Sequence, residues 1–226
     1  MLLLVAVAAC RSAAPPAGPV DPWRIDAGDL STQQLFRLHL RDADGETGSV
    51  RLAMRLRAPT RFELAVTDPL GRSLWVLTVV DQAGVLRERD GPGCRLSPTT
   101  PRTWPRLGPG LPAAYLPFLL LGRLPAAPAE ALAATPADGA LRFHDSAGRL
   151  WEVVTVEGRP ESWRREATDG AALAWQRDDD GARLAVEGDA SVEVRWRRLA
   201  REPLRLEPRL PADSASLEEC RFDDLP

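Results

Sequence analysis

The chain of 226 residues is 44% hydrophobic and 27% charged, enough apolar side chain for one globular domain with a real core. Its net charge of -3 gives no electrostatic reason to expect nucleic acid, and the lack of any Lys excludes a catalytic lysine. The 21 Pro and 17 Gly fit a protein of many strands and turns.

Met1 to Cys10 reads MLLLVAVAAC. A bilayer takes roughly 20 apolar residues to span, so this run is too short. It resembles the end of a secretory signal. Val7-Ala8-Ala9-Cys10 resembles a bacterial lipobox, in which a Cys after small residues is lipidated and becomes the new N-terminus. No Arg or Lys precedes the run, a departure from that pattern. The alternative is a buried N-terminal strand with a core Cys. Several acyl chains on Cys10 would anchor far more firmly than one. Arg11 follows, and by the sorting rule of enteric lipoproteins a residue other than Asp there implies the outer membrane. Arg11 to Val20 (RSAAPPAGPV) is a Pro/Ala/Gly spacer with nothing to bury, which reads as a tether. The expected organisation is a signal over 1–10, a tether over 11–22, a folded domain over 23–211 and a tail over 212–226.

Asp29 to Gln34 reads as a short helical or turn segment, and Gln34 to Leu40 alternates as a strand. After the Asp42–Gly45 turn, Val50, Leu52, Met54 and Leu56 alternate with Arg51, Ala53, Arg55 and Arg57, a strand with one basic face. Phe62, Leu64 and Val66 form the apolar side of the next strand. Asp68-Pro69-Leu70-Gly71 has the composition of a type I turn. In the strand that follows, Leu74 and Val76 lie on one side and Trp75, Leu77 and Val79 on the other, so both faces can be buried. Leu70 is the odd residue. A turn apex faces water, so this Leu either folds back onto the body or meets something apolar. Gly84 to Arg89 and Cys94 to Leu96 complete an antiparallel meander.

Leu111 to Gly122 (LPAAYLPFLLLG) breaks the alternation. A helix here would be apolar on most sides, and Pro117 keeps it short or kinked. It reads equally as a core helix or as a lid over an apolar cavity. Ala127 to Ala134 is a second helical candidate. Strands resume at Leu141–His144, Leu150–Val156, Glu161–Arg165, Ala172–Arg177, Ala182–Glu187 and Ser191–Arg197, with glycines at the turns. Such regular hairpin spacing predicts a mainly β fold, a large curved antiparallel sheet or incomplete barrel with a helical lid inserted mid-chain. Pro203 to Pro211 is expected at a sheet edge.

His39 and His144 sit in strands with no Cys or carboxylate at metal-ligand spacing, so neither a metal nor another cofactor is expected. Asp178-Asp179-Asp180-Gly181 reads as a solvated hairpin turn rather than a calcium loop. No nucleophile elbow or phosphate loop is present, so no enzyme activity is expected. Cys94 and Cys220 could pair in an oxidising compartment.

Thr67-Asp68-Pro69-Leu70-Gly71, Leu119-Leu120-Leu121-Gly122 and Trp151-Glu152-Val153-Val154, in this order and with this strand pattern, resemble the LolB family of the LolA/LolB superfamily. The likeness spans roughly residues 30 to 200, and its short motifs gain weight from their order. It implies an incomplete β-barrel, capped by helices, whose interior takes the acyl chains of client lipoproteins. Such a protein accepts clients from a LolA-like periplasmic carrier and inserts them into outer-membrane phospholipid, acting as a monomer. The resemblance assigns Leu70 the membrane-insertion role. Candidates for an acyl-chain lining are Leu52, Met54, Leu56, Phe62, Leu64, Val66, Leu74, Val76, Phe118, Leu120, Trp151, Val153, Val192, Val194 and Trp196. Alternation alone leaves open whether they line a cavity or fill a dry core. The other readings are a binding protein of this fold for a different lipid, and a structural envelope lipoprotein.

Overall fold

The computed structural model describes residues 25–220, except 42–43, 90, 92, 105–107, 126–139, 145–147, 158, 167–171, 180 and 188–191. The signal, Cys10, the tether and the Ala127–Ala134 segment therefore lie outside the described residues.

Period-2 apolar patterning builds two meanders of six strands each. The first holds β1 (Thr32–Arg41), β2 (Thr47–Ala58), β3 (Arg61–Thr67), β4 (Ser73–Val80), β5 (Ala83–Glu88) and β6 (Cys94–Leu96). A short hairpin follows, β7 (Pro101–Trp104) with β8 (Gly108–Pro112), then a 3-10 turn at Ala113–Tyr115 and one helix, α1 (Leu116–Leu120). The second meander holds β9 (Ala140–His144), β10 (Leu150–Val156), β11 (Arg159–Glu166), β12 (Ala172–Asp178), β13 (Gly181–Glu187) and β14 (Val192–Pro203). Pairing of β1 with β14 joins them into one antiparallel sheet ordered β6-β5-β4-β3-β2-β1-β14-β13-β12-β11-β10-β9, with β6 and β9 as its unjoined edges. The expected mainly β, unclosed sheet is what forms.

One face of this sheet is apolar from edge to edge. Phe36, Leu38, Leu52, Leu64, Leu77, Val153 and Trp175 on it are each at most 1% exposed. Four aromatic rings step across β9 to β12, with centroids of Phe143 and Trp151 5.9 Å apart, Trp151 and Trp163 5.2 Å, and Trp163 and Trp175 6.5 Å. Leu111, Ala113, Leu116, Leu119 and Leu124 of the mid-chain segment join the same core. The Leu111–Gly122 stretch thus carries the 3-10 turn and a single short α-helix. Pro112 and Pro117 restrict α1 to five residues, with Pro117 at its start, where a missing N–H costs nothing.

The C-terminal part departs from expectation. β14 lies at the centre of the sheet, and residues 204–211 form no edge strand. They leave β14 and run over the outer face toward β5 and β6. Leu204 N–H donates to Ser31 O (2.8 Å), Arg57 pairs with Glu207 (3.1 Å), and Arg87 pairs with Asp213. The path ends on the β6 edge. There Arg95 N–H donates to Glu218 O (2.7 Å), Cys220 N–H donates to Arg95 O (2.8 Å), and Cys94 and Cys220 form a disulfide. Proline-limited chain cannot complete a ladder, but it can lie across one as a strap. The strap explains why Val85, on the opposite face from the inward Leu86, is 1% exposed, for it shares a recess with Leu210, Ser214 and Ala215.

Two measurements check these packing relations. The Cys94→Ala/Cys220→Ala variant should lose about 3–5 kcal/mol in chemical denaturation, because the bond closes a loop of 126 residues. Gly181→Ala should prevent native folding, since an added Cβ would lie 1.8 Å from the Trp196 carbonyl oxygen, backbone that cannot swing aside.

Candidate functional site

The turn between β3 and β4 holds Leu70 away from the body. Its side chain is 80% exposed, whereas Asp68 two residues earlier is buried. Asp68 organises the loop around itself. Its N–H donates to Arg72 O (3.0 Å), its carbonyl accepts from Gly71 N–H (2.9 Å), and its carboxylate accepts from Arg72 N–H (2.9 Å) and from the Arg72 guanidinium. Gly71 supplies the left-handed conformation, φ +83°, that a side chain would strain. Burial pushes the Asp68 carboxyl up, but the backbone and guanidinium bonds from Arg72 outweigh it and hold the group below its ordinary value of 3.8. The apex is therefore braced from within and presents its one aliphatic side chain to solvent.

This turn also sets which face of β4 is inward. The register slips between Val66 and Thr67, so that Phe62, Leu64 and Val66 stand opposite Val79, Leu77 and Trp75. The core residues of β4 are Trp75, Leu77 and Val79, while Val76 turns to the other face and is half-buried. Leu74, at the register slip, is half-buried and packs against the core. The expected place of Val76 in the lining is corrected accordingly. Leu52, Met54, Leu56, Phe62, Leu64, Val66, Trp151, Val153, Val194 and Trp196 do face inward, each at most 6% exposed. Val192, at the end of β14, and Phe118 and Leu120 of α1 are half-buried. Phe36, Ala182 and Trp196 border a recess beside α1. Elsewhere the described part of the mid-chain segment packs against the inner face through Leu111, Ala113, Leu116, Leu119 and Leu124.

Polar bonds tie that segment to the body at several points. Trp196 Nε1 donates to Leu120 O (3.3 Å), Arg177 donates to Gly122 O (3.3 Å), Ala114 N–H donates to Pro98 O (2.9 Å), and Arg123 pairs with Asp26. Pattern reading missed the cations involved. Arg123 and Arg165 are 5% and 3% exposed inside an apolar core. Arg165 lies over the Trp151 ring at 5.5 Å and Arg177 over the Trp175 ring at 5.9 Å. Burial pulls Arg177 below its ordinary value; Glu161 opposes this, while Arg159 and Arg123 add to it. Arg177 also borders a recess of about 250 Å³ with Leu120, Leu121 and Trp196. Trp163 and Trp175 were missed too, although they sit on alternating strands and the alternation could have found them. Among the described residues no three His, Cys, Asp or Glu side chains gather as metal ligands, and no helix is long and apolar enough to cross a membrane.

The Asp68 bonds give a pH dependence with a definite sign. A carboxyl whose folded value is depressed contributes stability above its unfolded value and loses it as pH falls through the folded one. An NMR titration should place the Asp68 midpoint below about 3.9. Asp68→Ala should raise amide exchange at Gly71 and Arg72 while leaving the core amides of β3 and β4 protected.

No protein-family model matches the sequence, and no curated protein matches it. Among solved structures, the chain is similar to a LolA superfamily protein, NE2245 from Nitrosomonas europaea. The two share 12% identity over 82% of this chain and 89% of that chain, with a TM-score of 0.47.

Proposed function

We propose that this protein is a LolB-like outer-membrane lipoprotein. Tethered through Cys10, it receives the acyl chains of lipidated proteins from a LolA-like periplasmic carrier and inserts them into the outer membrane. Leu70 carries this reading, as a large aliphatic side chain 80% exposed at the apex of a braced turn. A rigid tip can enter lipid without first paying to order itself, and its burial there gains about 1.5–3 kcal/mol. That is too little to anchor a protein, and enough to dock one.

The packing of the mid-chain segment over the inner face is compatible with loading by exchange. A long acyl chain in water costs on the order of 10 kcal/mol. Leu111, Leu116, Leu119 and Leu124 of the mid-chain segment are all buried, and exposing four such side chains costs on the order of 6–12 kcal/mol. The terms are of the same size, so an incoming chain that displaces these leucines meets a nearly balanced exchange. Balance is what a carrier needs, since it must release as well as bind. A filled core alone would equally suit a tethered scaffold, but a scaffold gives no account of the Leu70 apex.

One observation favours a second reading, a carrier of the same fold for a phospholipid or glycolipid with an anionic head. Arg177 and Arg198 line the 250 Å³ recess with Arg123 close by, and since Asp178 and Asp179 line it too, a head with hydroxyl donors beside its phosphate would suit it. Mass spectrometry of ligands that copurify with the unlipidated protein separates the two.

Leu70→Glu should still bind an acylated client but deliver it to liposomes roughly tenfold more slowly or worse. Delivery at the parent rate would overturn the insertion role.

A further inference from the structure

The outer face of the sheet carries a row of unneutralised arginines beside the Leu70 turn. In register, Arg51 of β2 stands directly opposite Arg37 of β1, which stands directly opposite Arg197 of β14. Strands lie about 4.8 Å apart, so the three side chains rise from a line of about 10 Å. Arg51 and Arg197 are exposed and Arg37 is half-buried. None of the three makes an ion pair or side-chain hydrogen bond among the described residues. Several arginines elsewhere on this face meet a carboxylate, although Arg41 at the end of β1 meets none among the described residues. Arg55 meets Glu63, Arg61 meets Asp81 at 3.0 Å, Arg57 meets Glu207 at 3.1 Å, and Arg142 meets Glu152 at 2.9 Å. Glu193 on β14 is taken by Arg195.

Like charges placed directly opposite one another on a sheet cost stability. Three in register at the centre of the molecule, with no carboxylate paired to any of them among the described residues, mark a surface matched to something anionic. Its position says what. Arg51 pairs back to Thr67, the last residue of β3 before the Leu70 turn. Three residues separate Thr67 from Leu70, at most about 10 Å of chain. The headgroup region of a bilayer is about 5–8 Å deep on each side. With the Leu70 side chain at the acyl boundary, the arginine row reaches the phosphates. The adjacent β1–β2 turn bears Asp44 and Glu46, so an end-on approach would bring carboxylates there first. A tilt onto the outer face brings the arginines instead.

We propose that Arg37, Arg51 and Arg197 form a docking surface for anionic phospholipid headgroups, which orients the protein on the bilayer as Leu70 enters it. The inference rests on the membrane-facing role given to Leu70 above. Electrostatic attraction sets the orientation and the rate of approach, and the apolar tip supplies the short-range contact.

The test uses the full chain carrying Cys10→Ser, which removes the anchor, in flotation with phosphatidylcholine vesicles with or without phosphatidylglycerol. The parent should bind the phosphatidylglycerol vesicles preferentially and lose them as salt rises. Each arginine near an anionic surface contributes about fivefold, so the Arg37→Gln/Arg51→Gln/Arg197→Gln variant should bind roughly a hundredfold more weakly. A variant with the same charge change at Arg57, Arg61 and Arg142 should keep most of the binding. The first variant should melt no lower than the parent, because it relieves repulsion. Equal binding to both vesicle types, equal losses in both variants, or parent-like binding by the first variant, as expected if the row serves an acidic protein, would each overturn the proposal. No acylated client is present, so these outcomes stand apart from client transfer. Transfer into pure phosphatidylcholine vesicles, with Leu70→Glu as the comparison, reads the insertion role alone.

Discussion

The pairing of β1 with β14 is the constraint on which the rest depends. It runs from Thr32 opposite Pro203 to Arg41 opposite Glu193, and it joins the two ends of the folded chain through the middle of the sheet. Each meander is built from local hairpins and could form its own ladder. Only the β1–β14 pairing lines up their apolar faces as one surface, with Leu38 beside Trp196 and Leu40 beside Val194. A pairing so distant in sequence pays its loop-closure entropy late, which makes such a topology slow to form.

A twelve-stranded sheet that does not close leaves a continuous apolar face and two edges, and the chain covers that face and the β6 edge from its own length. The mid-chain segment between β6 and β9 folds onto the inner face. The C-terminal strap crosses the outer face and caps the β6 edge with backbone hydrogen bonds and the disulfide. Pairing or covering an edge removes a template for aggregation. The two covers differ in chemistry. The strap is fastened covalently and by ion pairs. The described part of the inner segment is held by apolar burial, hydrogen bonds and the Arg123–Asp26 ion pair, with no covalent fastening, which makes it the cover better suited to being displaced.

Polar groups are spent where geometry must be fixed. Around Asp68 they brace a turn so that an aliphatic side chain can be shown to solvent. Inside, Arg165 and Arg177 lie over indole rings, which keeps cations within an apolar lining. On the outer face most charges are neutralised across strands, and the Arg51–Arg37–Arg197 row stands out against that background.

The sequence by itself determined the local layer. Alternation placed nearly every strand of both meanders, because a half-buried strand must repeat every two residues. The Asp68–Gly71 composition located the turn, and Leu70 stood out there as an apolar residue among polar ones. What lay beyond reach depended on distant partners. Val76 alternates as cleanly as Trp75 and Leu77, and only the register slip beside Thr67 selects the inward set. The Pro/Gly-rich β7–β8 hairpin and the strap carry no periodic signal, since their places are set by the surfaces they cover. The arginine row is scattered over Arg37, Arg51 and Arg197 in sequence and becomes a row only through cross-strand register. Whether the inward side chains enclose space or fill it was likewise decided by tertiary packing, because a period of two reports which face a residue takes and nothing about what meets it there.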